Sequence, residues 1–338
     1  MALRLIEIVL PEQYMESIQN VLEDHPSSDF WYDRISKGKI LVRVLLPSEE
    51  TEEMVDLLNK RFSTADGFRI ILIPIEASVP RANQFSGAGD QEKLLPKKNH
   101  KRRIKRISRE ELYEDIADTT DLSRVYIVMV VLSSIVAAIG ILQNNVAVII
   151  GAMVIAPLLG PNVATSLATT IGDTDLLRNA LKANVVGVAI ALLLSVSLGI
   201  LLSVDPAIPE IASRTRIGLG DLILALAAGS AGALAFTTGI PTTLVGVMVA
   251  VALLPPLVTF GLLIGSGQRT MAVGALLLFL TNIICVNLSG VITFLAQKIV
   301  PSSYYEAERA RRATRMAIVF WLISLSLLTL LIAVSQGN

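Results

Sequence analysis

Cysteine and histidine are almost missing from this chain of 338 residues, which holds one of the first and two of the second. Cys285 alone allows no intramolecular disulfide, and within its apolar run it reads as a small buried hydrophobe. His25 and His100 supply no metal-ligand spacing, so neither a metal site nor a cofactor is expected. Charge is withheld from long stretches. No Asp, Glu, Lys or Arg occurs from Val125 to Gly172, Ala183 to Val204, Leu222 to Gln268, Met271 to Gln297, or Met316 to Asn338. A charge at mid-membrane costs roughly 2.5–3.5 kcal/mol on insertion scales, and a crossing needs about 20 residues. The composition, 53% hydrophobic, therefore excludes an ordinary soluble domain and describes a polytopic α-helical membrane protein. No carboxylate falls at expected mid-membrane depth, which weakens a buried proton-carrying acid. Nucleophile–base pairs are absent as well, so an enzyme is not expected.

Two apolar segments resemble each other. Asn144 to Asn162 reads NNVAVIIGAMVIAPLLGPN, and Val245 to Leu257 reads VGVMVAVALLPPL. A constant offset of 95 residues superposes Gly151 on Gly246, Met153 on Met248, Leu158 on Leu253 and Pro161 on Pro256. Seven of fourteen positions match without a gap, more than shared apolar bias supplies. Pro157, Pro161, Pro255 and Pro256 interrupt the hydrogen-bond ladder of a helix. Carbonyls freed there survive in a bilayer only when buried in protein or lining a wet cavity. Gly/Pro interruptions at corresponding places in two halves point to a transport site. The expected ligand or permeation residues are Asn144, Asn145, Gly151, Met153, Pro157, Gly160, Pro161 and Asn162 on the first segment. Gly246, Met248, Pro255 and Pro256 follow on the second, with Asn282 and Asn287 beyond it. Those last two amides serve equally well as ties between helices.

Seven spans are expected, at about 125–142, 146–170, 179–203, 219–237, 241–264, 271–297 and 316–335. The offset carries spans one to three (124–203) onto spans four to six (219–297), leaving 316–335 as an extra helix. Lys97, Lys98, Lys101, Arg102, Arg103, Lys105, Arg106 and Arg109 precede the first span; Arg309, Arg311, Arg312 and Arg315 precede the last. The positive-inside bias then puts both blocks, and the N-terminal part, in the cytoplasm of a cell with a multi-pass inner (plasma) membrane protein. Without interleaved aromatics, these blocks suit anionic headgroups of the lipid bilayer and not nucleic acid. Three spans per unit make the two units inverted; re-entrant segments would instead make them parallel. Small residues every fourth position, Ala183 to Gly199 and Ala225 to Thr237, suit close helix packing within the chain or in a homo-oligomer.

Residues 1–80 read as β-α-β-β-α-β, the order of a ferredoxin-like α+β domain. Residues 81–107 form a basic linker, and Ser108-Arg-Glu-Glu111 is a capping box opening an amphipathic interfacial helix over 108–119. Around Asn145 to Pro161 the chain resembles a prokaryotic family of hydrophobic membrane proteins, the domain-of-unknown-function family 389. Its GAM…PL-G-P pattern is matched by Gly151, Ala152, Met153, Pro157, Leu158, Gly160 and Pro161. Glu111 to Ile116 and Leu132 to Gly140 look like that family too, and the likeness covers about 108–300. Family members often carry Ser-Pro where this chain has Asn144-Asn145. The resemblance implies a membrane protein and brings no substrate. The expected function is a transporter or channel for a small solute or ion, with a regulatory or oligomerising head. The alternative is a membrane-anchored sensor or scaffold whose head binds a ligand without transport.

Overall fold

A computed structural model describes residues 3–23, 29–35, 38–75, 107–238, 242–299, 316 and 318–327; for 29, 49 and 242–252 it describes the backbone alone. The chain divides into two compact units, Met1–Glu111 and Leu112–Asn338.

The first unit is a four-stranded antiparallel sheet with two helices. Its elements are β1 (Leu3–Pro11), α1 (Met15–Glu23), β2 (Asp29–Ile35), β3 (Lys39–Pro47), α2 (Ser48–Phe62) and β4 (Arg69–Ile75), and the sheet order is β2-β3-β1-β4. Alternation decides which face is covered. Ile6, Ile8 and Leu10 of β1, with Ile40, Val42, Val44 and Leu46 of β3, meet Ile18 and Leu22 of α1 and Met54, Leu58 and Phe62 of α2. Each such side chain contributes about 1.5–3 kcal/mol by leaving water. On the opposite face Arg43 sits opposite Glu7 and bonds it at 2.8 Å, while also reaching Asp33 at 2.8 Å. Trp31, Ile71 and Ile73 stay exposed. Arg4 grips Glu111 with two bonds of 3.0 and 2.9 Å.

Half of the expected capping box at Ser108 is present: the Glu111 N–H donates to Ser108 Oγ at 3.2 Å where α3 (Arg109–Asp118) begins, while the Glu111 carboxylate accepts from Arg4 in place of the Ser108 N–H. The linker over 81–106 and the stretch 328–335 lie outside the described residues.

Apolar helices make up the second unit: α4 (Arg124–Leu142), α5 (Val146–Ile155), α6 (Leu159–Ile171), α7 (Thr174–Leu201), a single turn α8 (Pro209–Ala212), α9 (Leu219–Thr238), α10 (Thr242–Gly265), α11 (Arg269–Ala296) and α12 (Ile318–Leu327). By length and composition α4, α7, α9 and α11 are long and apolar enough to cross a membrane, and the bent pair α5–α6 makes a fifth if it is one span. The 95-residue offset carries α4 onto α9 and the ends of α7 onto the ends of α11, both of 28 residues. Packing exchanges partners between the halves: α7 lies on α10, and α11 lies on α6 as well as on α9.

Small residues make that exchange possible. A Cβ on Gly199 would strike the backbone of Leu262, one on Gly265 the carbonyl of Val196, and one on Gly261 the side chain of Ser195. Gly229 of α9 likewise meets the backbone of Val286 on α11. The small-residue rows of α7 and α9 are therefore used inside the chain, where they let helix backbones approach closely.

The expectation of two broken helices needs correction. The first segment does break, with α5 and α6 inclined by 52°. The second does not: α10 runs from Thr242 to Gly265 with Pro255 and Pro256 inside it. The cause is local. Ala156, which precedes Pro157, is extended at φ −73° and ψ 120°, the region that a proline favours for the residue before it. Pro161 then sits in the first turn of α6, where its missing N–H is not needed. At the offset, Ala252 stands where Pro157 stands, so the second segment lacks the residue that separates the two half-helices.

Candidate functional site

α6 is buried almost all round, although Asn162, Thr165, Ser166, Thr169 and Thr170 lie on it. Polar groups in such a place must be hydrogen-bonded. Four hydroxyls donate to the carbonyl four residues back: Thr165 to Pro161, Ser166 to Asn162, Thr169 to Thr165 and Thr170 to Ser166. This leaves the amide of Asn162 to find partners on other helices.

It finds two amides. Asn162 Nδ2 donates to the Leu158 carbonyl at 2.8 Å, beside the break, and to Oδ1 of Asn184 on α7 at 2.9 Å. Asn162 Oδ1 accepts from Nδ2 of Asn287 on α11 at 3.1 Å, and that Nδ2 also donates to the Ile283 carbonyl at 2.9 Å. Asn184 Nδ2 lies 3.4 Å from Thr165 Oγ1. Three amides from three helices thus form one chain, with the first turn of α6 at its centre.

The cluster borders a cavity of roughly 440 Å³, within the range of small-molecule sites. Four pairs of its lining residues are related by the 95-residue offset: Leu158 with Leu253, Asn184 with Phe279, Val188 with Ile283, and Leu192 with Asn287. The cavity therefore lies where the two halves meet. Its wall is almost wholly apolar and includes Trp321 of α12; no ionisable residue lines it among the described residues.

Of the residues expected from sequence, Asn162 and Asn287 come together here, and Pro157 sets the bend that brings them. The others fall elsewhere. Asn144 and Asn145 are exposed at the far end of α5 from the break. Asn144 takes a left-handed φ of 53°, which asparagine tolerates in the turn from α4. Asn145 caps α5 by accepting from the Val148 N–H at 3.2 Å. Asn144 Oδ1 accepts from the Glu210 N–H of α8 at 3.3 Å, so one amide ties the turn to α8 and the other caps α5. Gly151 is exposed with open space around it, and Met153 is buried in the general apolar core. Gly160 permits close approach of Thr119, Pro161 starts α6, and Pro255 and Pro256 are buried within α10. Asn282 is buried without lining the cavity, and the side chains of Gly246 and Met248 lie outside the described residues. Asn184 is invisible to the pairing of proline-rich segments. It nevertheless carries a signal of its own, as the lone amide in the uncharged run from Ala183 to Val204.

One polar contact lies outside the apolar helices. Asp173 caps α7 through Oδ1, accepting from the Asp175 and Leu176 N–H groups at 2.9 Å, and its Oδ2 accepts from Tyr113 of α3 at 2.9 Å. Desolvation, then the bond to Asp173, pushes the Tyr113 phenol up to about 12.

The family described as Domain of unknown function (DUF389) matches residues 153–288, the stretch that holds the break, all three amides and the cavity's paired residues. The protein named Uncharacterized protein MJ0678, from Methanocaldococcus jannaschii, is 35% identical over 322 residues, which is 95% of this chain and 96% of the relative. No solved structure matches. With the break and its amide cluster inside the matched stretch, and a relative aligned along nearly its whole length, the chain belongs to the domain-of-unknown-function family 389.

Proposed function

We propose that this protein is an integral membrane transporter or channel for a small solute, and that the cavity beside the amide cluster is its binding or permeation site. One observation carries the reading: residues of both halves related by the 95-residue offset line the same cavity. Transporters built from two repeats place their substrate between them, at helices interrupted within the membrane. The pair α5–α6 is such a helix, and the exchange of packing partners between the halves fits inverted units. In this reading α5–α6 is one broken span, α10 and α12 also cross, and seven spans result. The basic blocks keep the N-terminal unit in the cytoplasm, at the inner membrane of the cell. The sheet order β2-β3-β1-β4 supports a ferredoxin-like head, with a regulatory or assembling role.

The test is solute flux in liposomes holding the purified chain, compared with Asn162→Leu. Flux that depends on Asn162 supports the reading; flux indistinguishable from empty liposomes across ions and small neutral solutes rejects it. The uncovered sheet face with Trp31, Ile71 and Ile73 favours a second reading, a membrane-anchored sensor or scaffold that binds a partner through its head. Flux without any head ligand argues against that alternative. Cysteine accessibility at Asp175 and Ala207 decides whether α5–α6 spans or re-enters, since the two topologies put each loop on opposite sides.

A further inference from the structure

Resting on the reading that this cavity is the binding site, we infer the class of molecule it takes: an uncharged, lipid-soluble amphiphile with a hydrocarbon body and one neutral hydrogen-bonding head. Three features of the cavity lead there.

The first is the wall. Leucine, valine, isoleucine, phenylalanine and tryptophan side chains form nearly all of it, and no acid or base contributes among the described residues. An ion entering would lose its hydration shell to a surface that returns almost nothing, the most costly desolvation a protein site can impose. A hydrocarbon body meets the opposite condition and gains by contact. The volume of roughly 440 Å³ holds about fifteen water-sized groups at roughly 30 Å³ each.

The second is the unused hydrogen-bonding capacity of the amides. Asn184 is half-buried; its Nδ2 has one partner, Thr165 Oγ1 at a long 3.4 Å, and its other N–H has none among the described residues. Asn287 Oδ1 is approached only by Ser166 Oγ at 3.4 Å among the described residues, a hydroxyl that lies closer to the Asn162 carbonyl, at 3.2 Å. One open donor and one open acceptor therefore border the same cavity. A hydroxyl or primary amide uses both; a carboxylate has no donor for Asn287, and an ammonium has no acceptor for Asn184.

The third is the mouth. Leu181 and Val185 of α7 line the cavity and are themselves 47% and 67% exposed. Val185 lies in the uncharged run of α7, whereas exposed Lys182 and Arg178 stand beside Leu181, so the opening sits where lipid tails meet the headgroup region of a bilayer. The molecule enters sideways from the hydrocarbon phase, body first or head first, and the amides hold the head.

Trp321 lines the cavity and the only other tryptophan is Trp31 of the head, so Trp31→Phe leaves a single reporter at the site. The experiment is bromine quenching of Trp321 fluorescence in the full-length Trp31→Phe protein in lipid nanodiscs. The probes are a medium-chain ω-bromoalkanol, the bromoalkane without its head, and the matching bromoalkanoate and bromoalkyl-trimethylammonium. The expected result is saturable quenching, tightest for the alkanol. Asn184→Leu and Asn287→Leu weaken the alkanol by about five- to tenfold, one net hydrogen bond, and leave the bromoalkane unchanged, which also shows that each variant is folded. Val185→Phe, at the exposed mouth, fills the opening without adding a second tryptophan and abolishes saturable quenching by every probe. The inference is overturned if a charged probe binds tightest. Quenching that rises linearly with probe-to-lipid ratio, alike for all probes and in Val185→Phe, overturns it too. Ion flux in liposomes without saturable alkanol binding leaves transport standing and sinks the inference; saturable alkanol binding without any flux does the reverse.

Discussion

Asn287 and Asn162 are joined by one hydrogen bond of 3.1 Å across 125 residues of chain, tying α11 to the first turn after the break in α5–α6. Removing Asn287 leaves Asn162 Oδ1 without its donor, and removing Asn162 takes one acceptor from Asn287 Nδ2; a buried polar atom left unpaired costs about 1–3 kcal/mol. Asn162→Leu and Asn287→Leu should each destabilise the protein by that amount. The double variant should lose less than the two losses together, since replacing both partners leaves neither unsatisfied. A double-mutant cycle on unfolding in detergent or nanodiscs measures the coupling.

Pro157 decides whether the first segment bends. Pro157→Ala gives it the residue that the continuous helix α10 carries at the matching place, Ala252. The helix should then extend through Ala156, so amide exchange around 155–160 slows. With the bend relaxed, Asn162 leaves its partners, and solute flux should fall by about tenfold or more, the equivalent of 1.4 kcal/mol. Hydrogen exchange and liposome flux on one preparation check both halves.

Two glycines of the first half should differ sharply. Gly199→Leu drives a side chain into the backbone of Leu262, and overpacking of this kind costs about 1–3 kcal/mol or more. Gly151, for all its place in the motif, has nothing within 4 Å of the point where a Cβ would stand. Gly151→Ala should therefore leave flux unchanged and stabilise α5 by about 0.5–1 kcal/mol through helix propensity. Thermal unfolding of the two variants beside the parent is the measurement.

Tyr113 gives a prediction at alkaline pH. Its phenol is held up to about 12, against 10 for the free side chain, by desolvation and by the bond to Asp173. The native protein keeps this proton where the unfolded chain has lost it. The associated stability is complete below about pH 10 and is lost as pH rises towards 12. Tyr113→Phe should abolish this part of the decline and remove one late-titrating phenolate from the ultraviolet absorbance titration.

Periodicity and charge gaps carry much of the fold. The strands around Ile6 and Val42 follow from alternation, and α4 and α11 from uncharged runs. The N-cap at Ser108 is legible from the serine alone, whereas the Glu111 carboxylate goes to Arg4, a partner 107 residues away. The second break is misread because a proline disfavours a helix without forbidding one: Ala156-Pro157 separates two helices, whereas Pro255 and Pro256 sit within one. Asn162 and Asn287 are legible as amides in apolar runs. That they meet, and that Asn184 joins them, is not, because the contact depends on α6 turning by 52° and on α11 crossing between the halves. Asn144 and Asn145 attract notice by proximity in sequence, yet their chemistry is that of a turn and a cap.

The break also has a bearing on how the protein is made. At 1.5 Å per residue, α5 with 10 residues and α6 with 13 are about 15 and 20 Å long, against about 30 Å of hydrocarbon. Neither half can be threaded into a bilayer as a crossing of its own. The hydroxyl-rich helix α6 meets Asn184 of α7 soon after it is made, but its second amide partner is in place only when Asn287 has been synthesised, more than a hundred residues later. This piece of the chain must wait during biogenesis, sheltered by its own back-bonded hydroxyls, and it locks into place only after its far neighbour arrives.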